Sequence, residues 1–439
     1  MSDHVTPPPG ALKLRLSIMM FLQYGIWGAW LPLFYQFLNE HRGFGPSEIG
    51  TLFAVSAIGA LVAPFLAGQI ADRYFNTEKF LGISHILGGV LVWQLAWIES
   101  YSGLLLFGLV YSLVYAPTLS LTNSLAFHHL PDRDRDFGKV RVWGTVGWII
   151  AGIGIGQWLL FQHTPEIPVG LTGEAAEKFV SEAQIGGMAD SFRLSGILGV
   201  LLGLFCFSLP ATPPQKEKKN FAAAEAMAEI KGGPLLILFL VAFPVSVVHQ
   251  FYFVHTAGFL RSLDLTGSTI NKVFGVGGGG LMTVGQMSEI LVLAAMPIVA
   301  KLLGRKWLLT IGLCAYVVRF AVFAYMPHAA AVVPALTLHG LCFGCFFFIA
   351  FMVVDEMTTS DVRASAQALF NVVVVGVGII VGNFFAGFVG KQTNMAPEGA
   401  DPDYNYQLLF GIPMWISIAC LVALLILYPR KVNVVEPST

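Results

Sequence analysis

Apolar runs long enough to cross a lipid bilayer recur from residue 14 to residue 428 of this 439-residue chain. A spanning helix needs about 20 consecutive apolar residues, and we count twelve such runs. Only 12% of the residues are charged, where soluble domains have about 25%. Because lipid offers the backbone no hydrogen-bond partners, such runs must be helical. The sequence therefore predicts an all-α membrane protein with twelve transmembrane helices.

The distribution of lysine and arginine predicts the orientation of these helices. With an even number of spans both termini lie on the same side, and that side collects eighteen of the 25 basic residues. Arg319 lies inside a span, and the opposite side has only Arg42, Lys178, Arg193, Arg261, Lys272 and Lys391. Since cytoplasmic loops are enriched in positive charge, we expect a multi-pass protein with both termini in the cytoplasm.

One polar linker divides the chain into two halves. Residues 211–233 contain Pro213-Pro214 and four charged residues at 216–219, which is typical of a connection between domains. We expect two pseudo-symmetric six-helix bundles, residues 1–210 and 234–439. Asp72-Arg73 closes span two, and Arg305-Lys306 follows span eight at the equivalent place. Two halves of this kind are typical of a transporter.

The sharpest polar feature of the first half is a stripe in span five. Arg141, Thr145 and Trp148 share one helical face at i, i+4 and i+7. A forked cationic donor, a hydroxyl and an aromatic plane on one face suit a small, polar, ring-shaped ligand. Two interpretations remain open for Arg141, because an arginine at the head of a span can also extend to the lipid headgroups.

Polar residues in spans seven and eight mark the second half. Gln286 and Glu289 share a face, and Gln250 lies among aromatic residues. A carboxylate amid apolar side chains is expensive in lipid and can exchange a proton, as a proton-coupled carrier requires. Glu289 is therefore our candidate for proton coupling, with a structural ion pair as the alternative. For Gln250 and Gln286, ordinary interhelical hydrogen bonds are the alternative to ligand contact.

Span ten places an imidazole and a phenyl ring one turn apart. His339 and Phe343, at i and i+4, could form a stacking wall for a heterocycle, or they could be packed residues of the bundle. Arg319 in span nine is interpreted as structural.

Other classes of function find little support in the sequence. A membrane enzyme would need a catalytic motif, but there is no His-x-x-x-His pair and no Gly-x-Ser-x-Gly elbow. Cys342-x-x-Cys345 lacks the second pair of ligands that a zinc site would need. A net charge of −1 gives no support to nucleic-acid binding. We therefore expect no metal and no cofactor apart from the proton.

Several motifs together resemble the bacterial nucleoside:proton symporter family of the major facilitator superfamily. They lie at residues 21–30, 115–123, 141–147, 286–289, 319–325 and 363–367, and Asp72-Arg73 resembles the superfamily signature between spans two and three. The resemblance implies the major facilitator fold and proton-driven nucleoside uptake across the bacterial inner membrane by alternating access. It implies conformational gating at Asp72 and Arg73. The matching substrate positions are Arg141, Thr145, Trp148, Gln250, Gln286, Glu289 and Phe343.

The chain departs from the family pattern at three positions. His339 stands where some relatives have tyrosine, Gly344 where they have aspartate after the phenylalanine, and Phe253 where some have asparagine. The loss of the aspartate removes one candidate proton carrier and puts more weight on Glu289. We include His339 among the substrate-binding residues, because it could alter base or sugar preference.

Together these features predict a monomeric carrier for nucleosides of the uridine, adenosine and cytidine type. A proton-coupled symporter for a sugar or another polyhydroxylated solute is the alternative, since the same carboxylate and aromatic groups would serve it. A solute sensor that does not transport is the third possibility.

Overall fold

The computed structural model describes residues 9–66, 75–131, 133–213, 223–231, 233–263, 265, 272–276, 279–359, 363–397 and 403–429. These residues form helices joined by short connections, with one isolated antiparallel bridge between Asn394 and Tyr404. Because a helix satisfies its backbone hydrogen bonds internally, this is the architecture that the apolar runs demand.

The described residues before the predicted linker form seven helices. They are α1 (Pro9–Gln36), α2 (Pro46–Leu66), α3 (Thr77–Leu95), α4 (Tyr101–His129), α5 (Arg133–Gln162), α6 (Glu174–Gly187) and α7 (Asp190–Cys206). A π-helical segment, Phe37–His41, continues α1.

The second part of the chain begins with a short helix in the linker. The described helices of this part are α8 (Ala223–Ile230), α9 (Pro234–Ser262), α10 (Gly279–Leu302), α11 (Arg305–Tyr325), α12 (Ala329–Leu341), α13 (Ile349–Met357), α14 (Arg363–Asn371), α15 (Ile379–Thr393) and α16 (Tyr406–Leu427). The π-helical segment Cys342–Phe348 joins α12 to α13, and Val372–Gly378 joins α14 to α15.

Nine helical spans in the described part of the chain are long and apolar enough to cross a membrane. They are Gly10–His41, Tyr101–His129, Asp136–Gln162, Glu174–Cys206, Pro234–Ser262, Arg305–Tyr325, Ala329–Met357, Ala366–Thr393 and Tyr406–Leu427. Within α10, residues Gly280–Met296 form a shorter apolar helix. The protein is therefore a multi-pass membrane protein. That α2, α3 and α10 complete a set of twelve spans stays a prediction.

The described residues group into two compact units. The first is bounded by Met1–Phe44, Ile58–Lys218 and Thr266–Leu281, and the second by Gly45–Ala57, Lys219–Leu265 and Met282–Thr439. The predicted division into bundles 1–210 and 234–439 around a linker at 211–233 stays a prediction.

In the first unit, glycines bring α1 and α5 into close contact. A Cβ atom added to Gly28 would lie 2.6 Å from Cα and from the carbonyl oxygen of Trp148. A Cβ atom added to Gly147 would overlap the backbone of Phe21. Small residues allow helix backbones in membranes to approach in this way. The contact positions the polar stripe of α5 beside the aromatic residues of α1.

We expect Gly147→Ala to destabilise the protein, because the added methyl group must separate α1 from α5. The overlap is with backbone, which cannot rotate away, and overpacking of this kind costs about 1–3 kcal/mol. Gly154→Ala on the same helix is the matched control, since nothing lies within 4 Å of the Cβ atom it would add. Thermal melting of the purified protein in detergent measures both variants. Equal melting temperatures would show that the close approach is dispensable.

Candidate functional site

The polar stripe of α5 lies against α1 in the first unit. Arg141 is half-buried, and its Cζ atom is 3.9 Å from the centroid of the Tyr24 ring. A guanidinium over an aromatic face is stabilised by the ring quadrupole. Among the described residues, no carboxylate lies within ion-pair distance of Arg141. The ring therefore holds the guanidinium while leaving its planar fork of donors for a ligand.

Aromatic residues continue the site from Trp148. The rings of Trp148 and Trp27 meet edge to face at 5.7 Å between centroids, and Trp27 meets Tyr115 of α4 at 6.4 Å. The hydroxyl of Tyr115 donates to the backbone carbonyl of Gln23 at 2.5 Å. This bond joins α4 to α1 and fixes the aromatic group. Sequence reasoning singled out Trp148 but assigned no role to Tyr24 or Tyr115.

Thr145 completes the stripe. Like Trp148, it is half-buried, so both side chains keep some accessible surface within the first unit. The structure thus brings Arg141, Thr145 and Trp148 together on one face of α5, as the helical spacing predicted.

In the second unit, Glu289 of α10 faces His339 of α12. Oε2 of Glu289 lies 3.9 Å from Nε2 of His339, and the two side chains are 14% and 3% exposed. Gln286, one turn before Glu289, is buried, and its Oε1 atom has no hydrogen-bond partner in the described part of the chain. Its carbonyl oxygen can therefore accept a hydrogen bond from a ligand.

Ser288 fixes α10 to α12 beside this pair. It lies in the motif at residues 286–289, but the motif does not indicate this contact. Its hydroxyl lies 2.7 Å from the carbonyl oxygen of Gly285 and 2.6 Å from that of Thr337, and it accepts a hydrogen bond of 3.0 Å from the N–H of Gly340. A serine on a helix usually bonds only to its own backbone. Here it reaches a second helix, and this contact sets the register that brings Glu289 opposite His339.

Gln250 and Phe343 are the remaining predicted residues of the second unit. Gln250 is buried on α9, and a Cβ atom on Gly382 of α15 would lie 2.7 Å from its Cγ atom. No hydrogen bond joins Gln250 to Glu289 or His339 among the residues that the structure describes. Phe343 belongs to the π-helical segment after α12, and its ring packs at 6.3 Å from that of Phe347.

The predicted wall of His339 and Phe343 takes a different form. No contact between these two rings is found within the described residues. The imidazole instead packs with α9: its centroid is 4.6 Å from the Tyr252 ring and 6.0 Å from the Phe253 ring. The π-helical segment explains the difference, because its i→i+5 bonding changes the spacing that an α-helix would give.

Gly344, at the position where the motif resemblance implies an aspartate in some relatives, is tightly enclosed. A Cβ atom on Gly344 would lie 2.6 Å from Cγ1 of Val292 on α10. A carboxylate side chain would not fit at this position unless Val292 moved. Because this position is glycine, it has no carboxylate to carry a proton.

Asp72 and Arg73, the expected gating residues, lie outside the described residues. Within the described residues, no group of three or more His, Cys, Asp or Glu side chains could hold a metal ion. Cys342 and Cys345 are free and buried.

Comparison with known proteins finds carriers along the whole chain. Residues 11–433 match the family model described as nucleoside H+ symporter. The putative nucleoside transporter YegT of Escherichia coli (strain K12) is 30% identical over 419 residues, which are 93% of this chain and 92% of that protein. The nucleoside permease NupG of the same organism is 28% identical over 391 residues, 86% of this chain and 88% of that protein. A crystal structure of NupG matches with a TM-score of 0.78 at 25% identity, covering 96% of this chain and 100% of that one.

Proposed function

The chain belongs to the nucleoside H+ symporter family, and from this premise we propose that it carries nucleosides together with protons into the cell. The family resemblance predicted from the motifs is confirmed, and so is a carrier rather than an enzyme. The fold is the major facilitator fold. Proton-coupled uptake requires a group that binds and releases a proton and a site that recognises the nucleoside.

The observation that carries the proposal for this chain is the pairing of Glu289 with His339. Glu289 is a largely buried carboxylate with an imidazole nitrogen 3.9 Å away. At Gly344, where the motif resemblance implies an aspartate in some relatives, this chain has no side chain that could carry a proton. We therefore assign proton coupling to Glu289.

Recognition of the nucleoside is assigned to the polar stripe of α5 and to the predicted site residues of the second unit. Glu289 and Gln286 bond to the ribose hydroxyls, and Trp148 and Phe343 stack on the base. Arg141, Thr145 and Gln250 bond to its polar edge, and His339 contributes to the choice of base or sugar. An aromatic stack adds about 0.5–1.5 kcal/mol beyond burial. Discrimination therefore comes mainly from hydrogen bonds, since a wrong ligand leaves polar groups unpaired.

Uptake of labelled uridine into proteoliposomes tests the proposal. A proton gradient of about one pH unit is worth about 1.4 kcal/mol, so one proton per uridine supports accumulation of about tenfold. We expect accumulation that an uncoupler abolishes. Uptake that the uncoupler does not reduce would exclude proton symport. Failure to take up any nucleoside would exclude nucleosides as the substrate class.

Competition separates a nucleoside carrier from a sugar carrier. We expect unlabelled adenosine and cytidine to reduce uridine uptake and free ribose to have little effect, because ribose lacks the base that the aromatic residues would bind. Strong competition by ribose alone would favour the sugar symporter.

The membrane and its orientation complete the proposal. We place the protein in the bacterial inner membrane as a monomer with both termini in the cytoplasm. The distribution of basic residues supports this orientation. Gating by Asp72 and Arg73 and alternating access belong to the same proposal.

A further inference from the structure

Arg319 is a buried cation to which the proposed function assigns no role. It lies on α11 with no exposed surface, and no carboxylate is within ion-pair distance of it among the described residues. Its Nε and Nη2 atoms have no hydrogen-bond partner in that same part of the chain. A buried charge without a carboxylate is costly, and intramembrane ionisable residues usually serve a function.

Aromatic rings provide most of the surroundings of this cation. The Cζ atom of Arg319 is 4.6 Å from the ring centroid of Tyr252, 5.2 Å from that of Tyr316 and 5.1 Å from that of Phe320. Ring faces stabilise a guanidinium without neutralising its charge. The positive charge of Arg319 therefore remains available to act on other groups.

Among the described residues, His339 is the one polar partner of Arg319. Nη1 of Arg319 lies 3.1 Å from Nδ1 of His339. A guanidinium can only donate hydrogen bonds, so Nδ1 must accept, and the ring hydrogen must be on Nε2. Nε2 is the atom that faces Oε2 of Glu289 at 3.9 Å. Protonation of Nδ1 would break this bond and place one cation against another.

Packing prevents the imidazole from exchanging its two nitrogens. The His339 ring lies nearly parallel to the rings of Tyr252 and His249, at 4.6 Å and 5.4 Å between centroids. His249 is itself held, since its Nδ1 is 2.6 Å from the hydroxyl of Tyr316. A rotation of His339 would lose these ring contacts together with the bond from Arg319.

We propose that Arg319 is the positioning residue of the proton site: it holds His339 as the neutral form with hydrogen on Nε2, so that Glu289 and not His339 carries the proton. His339 then presents an N–H group to Glu289, and this dipole, with the guanidinium charge behind it, stabilises the carboxylate after the proton has left. This inference rests on the proposed function, in which Glu289 couples transport to the proton.

Two matched pairs of variants test the transport consequence in proteoliposomes. Arg319→Lys keeps the charge and a donor, whereas Arg319→Met keeps the length alone. His339→Gln offers an amide N–H near the position of Nε2, whereas His339→Asn places its amide near Nδ1. For each variant, uncoupler-sensitive accumulation of uridine is divided by the rate of uridine exchange. We expect this ratio to fall at least tenfold in Arg319→Met and His339→Asn and less than threefold in Arg319→Lys and His339→Gln.

A spectroscopic measurement tests the same inference without transport. Nitrogen NMR of the full-length protein with labelled histidine distinguishes the two neutral tautomers, and the signal absent from His339→Gln identifies His339. We expect the Nε2–H tautomer in the wild type and a mixture in Arg319→Met. Cys314→Ser, on the same helix as Arg319 and exposed, is the control and should change neither readout.

Three results would overturn the inference. A wild-type spectrum with hydrogen on Nδ1 would contradict the assigned tautomer. Normal accumulation by Arg319→Met would show that Arg319 contributes only to packing. Loss of accumulation in both His339 variants, with exchange retained, would show that His339 carries a proton.

If Arg319→Met fails to fold, the two His339 variants and the wild-type spectrum still test whether the inference holds. If the wild type shows no uncoupler-sensitive uptake, the proposed function fails instead, while the tautomer remains measurable.

Discussion

Replacing Glu289 by glutamine is expected to abolish the accumulation of uridine against its concentration gradient. Glutamine has nearly the shape of a protonated glutamate but cannot release a proton. The variant would therefore stay in one protonation state through the whole cycle, and uridine would only equilibrate across the membrane. The expected change is the full accumulation, about tenfold for a gradient of one pH unit and one proton per uridine.

Exchange of labelled for unlabelled uridine should continue in this variant, because exchange needs no net movement of protons. We expect its rate to stay close to that of the wild type, since glutamine mimics the protonated glutamate that the loaded carrier would hold. Both quantities are measured in the same proteoliposomes. Glu182→Gln is the matched control, because the Glu182 side chain on α6 is 65% exposed and lies outside the proposed site. Uphill uptake by Glu289→Gln at the wild-type level would assign coupling to another residue.

The helical architecture could be predicted from the sequence because lipid leaves the backbone few alternatives. An apolar run such as Pro234–Ser262 can satisfy its hydrogen bonds in a bilayer only as a helix. The face shared by Arg141, Thr145 and Trp148 followed from the same regularity, since 3.6 residues per turn fix it. These predictions needed no knowledge of which helices are neighbours.

Contacts between helices could not be predicted in this way. Tyr24 lies under Arg141 only because glycines bring α1 close to α5, and one sequence gives no signal for that pairing. No partner for Arg319 can be identified along the chain, yet its guanidinium bonds to His339 of the following helix. Side chains from separate helices form this cluster, and its geometry depends on packing.

Local helix geometry also limited the sequence argument. The expected alignment of His339 with Phe343 assumed an uninterrupted α-helix, but Phe343 lies in the π-helical segment Cys342–Phe348. The segment contains Phe346 and Phe347, both buried, and nothing in its composition predicts the wider turn. π-Helical segments occur frequently at functional sites, which is consistent with the position of this one beside His339.

Replacing Arg141 by alanine is expected to weaken uridine binding about 10- to 100-fold. The guanidinium is held over the Tyr24 ring at 3.9 Å, so its donors are oriented before the ligand arrives. Each hydrogen bond from a charged donor contributes about 1.5–3 kcal/mol, which corresponds to that range of dissociation constants. Isothermal titration calorimetry of the purified protein with uridine measures the change.

Further variants separate the shape of the Arg141 donor group from its charge. Arg141→Lys keeps the charge but loses the planar fork, so we expect an intermediate affinity. Tyr24→Leu removes the ring beneath the guanidinium and should cost about 3- to 10-fold, the size of a partly exposed cation–π interaction. Lys139→Ala removes a cation of the same helix whose side chain is 71% exposed, and it should leave the affinity unchanged. Wild-type affinity in Arg141→Ala would instead support the interpretation in which Arg141 extends to the lipid headgroups, because a guanidinium that binds no ligand can be removed without affecting the titration.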